Sequence, residues 1–135
     1  MRVVLDTNIV LDVLLDRAPF VHDSSALWAA CDTGRLVGVL PASALTDIFY
    51  IARRTTDLVR ARVAVGLCLA AFDIAPIDRQ TFEDATALPG NDFEDNVQIA
   101  CATRAGVEAI VTRNREDFAH APIAVLTPTE LLARL

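Results

Sequence analysis

The chain has no lysine: all 12 basic residues are arginines, set against 18 acidic residues and a net charge of −6. A strongly acidic protein is a poor passive binder of nucleic acid, because positive charge supplies most of the attraction to phosphates. Such a protein can still act on a phosphodiester when metal ions screen its carboxylates. Arginine without lysine also suits local, bidentate phosphate contacts.

Cysteine and histidine are scarce as well, with 3 cysteines and 2 histidines. Cys31, Cys68 and Cys101 lie far apart in apolar surroundings, which is typical of buried free thiols. Because the sequence has no CxxC motif and no cysteine–histidine cluster, we do not expect a zinc site. His22 and His120 are isolated, and we expect both at the surface.

Long apolar runs are also missing, so no segment reaches the length of a membrane span. Asp6 interrupts the apolar N-terminal run, which is therefore not expected to be a signal peptide. Hydrophobic residues make up 53% of the 135 residues, enough for one packed domain with a full core. We therefore expect a single cytoplasmic domain over residues 1–135 that has no membrane partner.

The chain is organised around Val3–Asn8, where a short apolar run stops at Asp6. The run predicts a strand buried on both faces, with Asp6 at its carboxyl end. Ligands bind outside this end of the strands in open α/β sheets. Thr7 and Asn8 can cap the next helix, and Asp6 could itself be no more than a cap.

Strand and helix patterns alternate along the rest of the chain, without hairpin signals or repeats. Further strands are predicted at 36–40, 73–77, 108–111 and 123–126, and helices at 9–15, 21–33, 41–54, 57–72, 79–88, 92–105 and from 128 onward. Pro76 suggests that the third strand lies at an edge. The alternation predicts an α/β fold, a three-layer α/β/α sandwich around a parallel sheet of four to five strands.

Two of these helices have informative apolar patterns. In the third helix Leu45, Ile48, Phe49 and Ala52 fall at i, i+3, i+4 and i+7 and define the expected core face. Asp47 lies off that face, which favours a role in a site. The fourth helix is apolar nearly all round, so we expect it to be deeply packed or to form a partner interface.

Aspartates recur where strands end and helices begin, and a parallel sheet brings these points to one edge. They are Asp6, Asp47, Asp92, Asp95 and Asp117. Each could be a plain cap, since helix starts favour an acid. Together they would repel one another strongly unless cations occupied the cluster. Oxygen ligands suit Mg²⁺ or Mn²⁺, which serve phosphodiester hydrolysis.

The helix that begins near Asp92 carries closely spaced acids. Asp92 and Asp95 share one face at i, i+3, whereas Glu94 is expected to point elsewhere. Asp95 is therefore the better metal-ligand candidate, and Asp92 could be either a cap or an acid that supports the ligands.

Three segments resemble the best-known sequence blocks of the PIN-domain family, and their order and spacing also fit. They are Val4–Asn8, Asp92–Asp95 and Val111–Phe118. The chain looks most like stand-alone bacterial PIN proteins, such as the VapC-like toxins of toxin–antitoxin pairs. This resemblance covers essentially the whole chain and implies a metal-dependent ribonuclease with a compact α/β/α fold.

The resemblance also implies roles for individual residues. Asp6, Asp95 and Asp117 would bind the metal directly or through water. Relatives usually have glutamate in the helix after the second strand, where this chain has the shorter Asp47. Many relatives have aspartate at the position of Asn114, a role that Asp117 could take over.

Other residues would support the site or contact the substrate. The expected supporting residues are Thr7, Asn8, Asp92, Thr112 and Asn114. Arg113 and Arg115 are candidates for contacts with RNA phosphates, although solvated surface arginines are commoner.

These observations predict a Mg²⁺- or Mn²⁺-dependent endoribonuclease. Asp6, Asp95 and Asp117 would hold the metal, and Asp47 would help with a second metal or orient the attacking water. The resemblance and the composition imply an RNA substrate, a homodimer and a protein antitoxin, as in a type II toxin–antitoxin pair.

Two other interpretations stay open. A phosphatase of the haloacid-dehalogenase type also has an aspartate after its first strand, but it needs a second aspartate where this chain has Asn8, and a lysine. A catalytically weakened PIN-like module that binds RNA or protein would result if Asp47 and Asn114 had abolished turnover. Metal-dependent RNA cleavage separates this module from the enzyme.

Overall fold

Strands and helices alternate along the whole chain in a computed structural model that describes residues 1–135. The strands are β1 (Arg2–Leu5), β2 (Val37–Pro41), β3 (Asp73–Ala75), β4 (Ala109–Val111) and β5 (Ala124–Leu126). The helices are α1 (Thr7–Leu14), α2 (Val21–Asp32), α3 (Ala42–Thr55), α4 (Leu58–Ala71), α5 (Arg79–Thr86), α6 (Phe93–Arg104) and α7 (Pro128–Leu132). A 3₁₀ helix at Arg115–Phe118 lies between β4 and β5.

The strands form one 5-stranded parallel sheet in the order β3-β2-β1-β4-β5. The central strand is β1, in which Val3 pairs with Gly38 of β2 and with Ala109 of β4. The predicted α/β fold is confirmed, and β3 lies at an edge of the sheet, as Pro76 suggested.

Helices cover both faces of the sheet because successive side chains of a strand point to opposite sides. On one face, Val3 and Leu5 pack in a core cluster with residues of α1, α2, α3 and α4. On the other face, Val4 packs in a second cluster with Ile99 of α6. The expected burial of β1 on both faces and the three-layer α/β/α arrangement are therefore confirmed.

The start of α3 differs from the prediction. Pro41 ends β2 and precedes the helix, since its extended backbone (φ −58°, ψ 141°) continues the pairing with Ala75 of β3. The buried stripe of α3 consists of Ala44, Ile48 and Ala52. Leu45 and Phe49, assigned to the core face from their spacing, are only partly buried.

The fourth helix is packed on one side only, which corrects the expectation that it could be deeply buried. The small residues Ala61, Ala64 and Cys68 form its buried side. Its exposed side carries Val59 at 71% exposure and Val63 at 55%. Because α4 is apolar nearly all round but packs on one side only, its other side is an exposed apolar surface.

No helix combines the length and the apolar character that crossing a membrane requires. All three cysteines are free, and Cys68 and Cys101 are buried as predicted, whereas Cys31 is only partly buried. His22 and His120 are both exposed, which was also predicted.

Candidate active site

Asp6 occupies the N-cap position of α1, but its side chain makes no capping hydrogen bond. Its carboxylate instead accepts hydrogen bonds from the Thr112 hydroxyl at 2.8 Å and from the Gln98 amide at 3.2 Å. The backbone N–H of Asp6 donates to the carbonyl of Val111 at 2.9 Å, which ties this position to the end of β4. The interpretation of Asp6 as a plain cap is therefore wrong.

Thr112 and Gln98 form the support of Asp6 and are both buried. The Thr112 hydroxyl also accepts a hydrogen bond from the backbone N–H of Asn114 at 3.1 Å. Gln98 was not among the predicted site residues, although its i+3 spacing from Asp95 on α6 could have identified it. The Gln98 side-chain oxygen is buried and has no hydrogen-bond partner in the protein.

The aspartates singled out in the sequence line one cavity of about 390 Å³. Its acidic lining residues are Asp6, Asp47, Asp92, Glu94, Asp95 and Asp117. They come from the end of β1, from α3, from the start of α6 and from the 3₁₀ helix after β4. Thr7 and Asn8 of α1 line the same cavity, whereas Asn114 does not. The parallel sheet thus brings the strand ends together as the alternating pattern suggested.

Asp95 has the most strongly perturbed carboxyl group in this cavity. Burial raises its pKa, the charges of Asp92, Asp117, Asp6 and Glu94 add to the shift, and the pKa of Asp95 reaches about 7. These acids therefore repel one another at neutral pH. A divalent cation among them would reverse that effect, because a nearby opposite charge favours the ionised carboxylate.

Glu94 lies against the site, so the expectation that it points elsewhere is wrong. Its side chain lines the cavity, where burial of the carboxyl group raises the pKa of Glu94 and the charge of Asp47 raises it further. The i, i+3 rule identifies neighbours on one helix, but this cavity is bounded by α3 as well as by α6. It is wide enough to receive both Glu94 and Asp95 from consecutive positions of α6.

Asp92 has both of the roles considered for it. Its side chain accepts a hydrogen bond from the backbone N–H of Asp95 at 3.2 Å and so caps α6. The same residue lines the cavity, where its charge contributes to the raised pKa of Asp95.

A family model described as a PIN domain matches residues 2–116. The chain belongs to the PIN-domain family. No curated protein matches it significantly.

Solved structures show the same PIN fold. Mycobacterium tuberculosis VapC20, a sarcin–ricin loop cleaving toxin, has a TM-score of 0.70 at 13% identity, over 87% of this chain and 93% of that chain. DNA-bound VapBC from Salmonella typhimurium has a TM-score of 0.70 at 17% identity, over 95% and 98%. A toxin–antitoxin complex from Klebsiella pneumoniae has a TM-score of 0.69 at 24% identity, over 93% and 97%.

Arg113 of this PIN domain is paired with a protein carboxylate. Its Nε lies 2.8 Å from Asp12, whose side chain is fully buried, and its guanidinium lies 4.0 Å from the centre of the Phe20 ring. Arg17 lies 3.7 Å from the same carboxylate. Sequence reasoning missed Asp12 because its main partner is 101 residues away. Arg113 therefore holds the start of the loop after β4 onto α1.

Arg115, the other arginine considered for RNA contacts, also has a protein partner. Its guanidinium lies 2.8 Å from Glu130 of α7. This pair is largely exposed, so it can exchange readily with solvent or with another anion.

The donor set of the PIN domain fits a hard divalent cation by its chemistry, because its charged groups are all carboxylates that repel one another. No three acidic side chains are placed to hold one ion directly. Mg²⁺ commonly binds through one or two carboxylates and keeps several waters, so it does not require such a group. Asp6, Asp95 and Asp117 are the residues that would hold it, some of them through water.

Proposed function

We propose that this PIN domain is a Mg²⁺- or Mn²⁺-dependent endoribonuclease and the toxin of a type II toxin–antitoxin pair. The main support is the gathering of Asp6, Asp47, Glu94, Asp95 and Asp117 in one cavity at the carboxyl edge of the sheet. Such a cluster is unfavourable without cations, and hard cations held by carboxylates are the usual means of phosphodiester hydrolysis.

The protein's residues would divide the work as follows. Asp6, Asp95 and Asp117 hold the cation, and Thr112 and Gln98 keep the Asp6 carboxylate turned toward the cavity. A bound cation would polarise the phosphate and lower the pKa of a water bound to it. Asp47 either helps to hold a second cation or orients the attacking water.

Asp47 and Glu94 both line the cavity, and the charge of Asp47 contributes to the raised pKa of Glu94. This pair is therefore proposed to accept a proton from the attacking water or to hold one for the leaving oxygen.

RNA is the proposed substrate because the related VapC20 is described as a toxin that cleaves the sarcin–ricin loop. The position of Asp117 in a short helix beside Asn114 keeps an acid near the place where many relatives have aspartate. This arrangement favours an active enzyme over a binding module that has lost turnover.

A protein antitoxin and a second copy of the chain are the proposed partners. Several structures with this fold are toxin–antitoxin complexes, among them VapBC and FitAB proteins. The exposed apolar side chains of α4 provide a surface of the kind that marks protein interfaces. Three exposed residues follow one another on this surface at a spacing of four, namely Val59, Val63 and Leu67.

RNA cleavage by the purified protein tests this proposal. We expect cleavage with Mn²⁺ or Mg²⁺, none with chelator, and none for Asp95→Asn, whose circular dichroism should match that of the parent protein. RNA binding without cleavage under all metal conditions would favour the binding module instead. A protein that neither binds nor cuts RNA would overturn the proposal.

A further inference from the structure

We propose that helix α3 carries a binding track for single-stranded RNA, formed by Asp47, Tyr50 and Arg54. In this track the base beside the scissile phosphate stacks on Tyr50, and the next phosphate contacts Arg54. The inference rests on the proposed nuclease function and deepens it, because it assigns where the strand lies once it leaves the acidic centre.

Tyr50 supplies the first observation. It lines the acidic cavity together with Leu11 and Ile51, the other two apolar residues of the lining. Tyr50 is nevertheless 62% exposed. Because the ring is exposed, it contributes little to the core, and a base that enters the cavity can stack on it.

The helical spacing of α3 supplies the second observation. Asp47, Tyr50, Ile51 and Arg54 fall at i, i+3, i+4 and i+7, which places them along one side of the helix. The ring of Tyr50 meets that of Phe49 edge-on, at 5.2 Å and 84°. This contact supports the ring from one side and leaves most of it accessible to a ligand.

The charge of Arg54 supplies the third observation. Arg54 is exposed and takes part in none of the ion pairs, whereas Arg113 and Arg115 are both paired. An unpaired guanidinium one helical turn beyond Tyr50 is free to contact a phosphate. Arg54 also lies outside the acidic cavity, since it is not among the residues that line the cavity.

Electrostatics explain why the track needs an aromatic residue. With a net charge of −6, the protein as a whole repels a polyanion, and unpaired arginines or bound cations must supply the local attraction. Stacking of a base on an aromatic ring does not depend on net charge, and proteins use it widely to bind single-stranded RNA. Duplex RNA keeps its bases inside the helix, so the track should select unpaired nucleotides.

The single tyrosine of the chain makes a direct test possible. Replacing it with 3-fluorotyrosine gives a protein with one ¹⁹F resonance, which is titrated with an unstructured RNA oligonucleotide and with the matching duplex. The titration is run in chelator with the parent sequence, and in Mg²⁺ with Asp95→Asn so that the RNA stays intact. We expect the single strand to shift the resonance and the duplex to leave it unchanged.

Kinetic measurements on variants test the same inference in the active protein. For Tyr50→Ala we expect KM for single-stranded RNA to rise roughly five- to tenfold, the low end of what one stacked base contributes, with kcat almost unchanged. Tyr50→Phe should keep the parent KM, and Tyr50→Leu, which retains apolar volume but not the ring, should resemble Tyr50→Ala. None of these changes should alter the stabilisation of the fold by Mg²⁺.

Arg54 has a matched control in Arg62, an exposed arginine on α4 that also takes part in none of the ion pairs. Arg54→Ala should raise KM and flatten the dependence of KM on salt, whereas Arg62→Ala should do neither. An unchanged KM in both Tyr50→Ala and Arg54→Ala, beside normal cleavage by the parent protein, would overturn the track and leave the nuclease proposal intact. If no RNA is cleaved at all, a ¹⁹F resonance that stays fixed under both conditions overturns the track, and one that shifts supports it.

Discussion

The hydroxyl of Thr112 donates a 2.8 Å hydrogen bond to the carboxylate of Asp6, a residue 106 positions earlier in the chain. The bond links the ends of β1 and β4, the strands that meet at the centre of the sheet. The Thr112 hydroxyl also accepts a hydrogen bond from the backbone N–H of Asn114. It therefore joins the turn after β4 to Asp6, the proposed metal ligand. The side chain of Asp6 is thus held toward the cavity before any cation arrives.

Thr112→Val tests this relationship, because valine has nearly the same shape but lacks the hydroxyl. The free energy of unfolding should fall by about 1–3 kcal/mol, since the N–H of Asn114 loses its acceptor and the Asp6 carboxylate loses a donor. RNA cleavage should also slow, because only Gln98 then orients Asp6. Urea denaturation and initial rates measure the two effects. Thr55→Val, which removes an exposed hydroxyl bonded within its own helix, is the control and should change neither.

The sequence was sufficient to predict the sheet and the gathering of acids. The apolar run before Asp6 indicated a buried parallel strand, and parallel strands place their carboxyl ends at one edge. This rule alone brings Asp6, Asp47, Asp95 and Asp117 to the same cavity, without knowledge of any side-chain contact.

The contacts across packed elements could not be predicted in this way. Gln98 meets Asp6 over a separation of 92 residues, and Arg113 meets Asp12 over 101. Such pairs depend on how α6 and α1 pack against the sheet, which helical spacing does not determine. The direction of the Glu94 side chain was predicted wrongly for the same reason. The cavity is bounded by α3 as well as by α6, so it also reaches Glu94.

Divalent cations should stabilise the fold, because they relieve the repulsion within the cavity. At a concentration about 100-fold above Kd, binding to the native state alone adds about 2.7 kcal/mol to the free energy of unfolding. Thermal melts in millimolar Mg²⁺, in Mn²⁺ and in chelator measure this gain. Asp95→Asn should reduce the gain, whereas Asp32→Asn, which neutralises an exposed acid of α2, should keep it. Equal melting temperatures in metal and in chelator would count against the site.

In the metal-free protein, the contribution of Asp95 to the free energy of unfolding should fall as the pH rises. Its pKa is raised from the model-peptide value of 3.8 to about 7 in the fold. Between these values the native state retains a proton that the unfolded chain has lost, so this residue's contribution to stability falls with rising pH and is constant above about 7. In chelator, Asp95→Asn should therefore match the parent protein near pH 4 and be more stable at pH 8. A difference that does not change between these pH values would contradict the assignment.

The ion pair of Asp12 with Arg113 should be important for stability. Asp12→Ala leaves the guanidinium of Arg113 without its main partner, and we expect a loss of roughly 3 kcal/mol, the low end for a buried pair because Arg113 is partly exposed. Urea denaturation of Asp12→Ala, Arg113→Met and the double variant gives the coupling energy. The double variant should be more stable than the sum of the single changes predicts. Additive losses would show that the pair contributes nothing beyond the packing of each side chain.

Removing the carboxyl group of Asp47 should lower the activity but slightly raise the stability of the metal-free protein. Asp47→Ala should slow RNA cleavage strongly at saturating Mn²⁺, because one of the two carboxyl groups is lost. In chelator the same variant should unfold at slightly higher temperature, since it no longer contributes to the raised pKa of Glu94. Asp47→Glu restores the side-chain length usual in relatives and should keep or raise the rate.

Glu94→Gln separates a role in the site from a simple charge at the start of a helix. Because Glu94 lines the cavity and is affected by the charge of Asp47, we expect this change to slow cleavage as well, whereas Glu83→Gln on the exposed side of α5 should have no effect. Cleavage rates and chelator-state melting temperatures are compared for all of these variants. If Asp47→Ala and Glu94→Gln both cleave at the parent rate, the pair is not part of the catalytic site. The essential acids would then be Asp6, Asp95 and Asp117, with Asp92 as the next candidate to test.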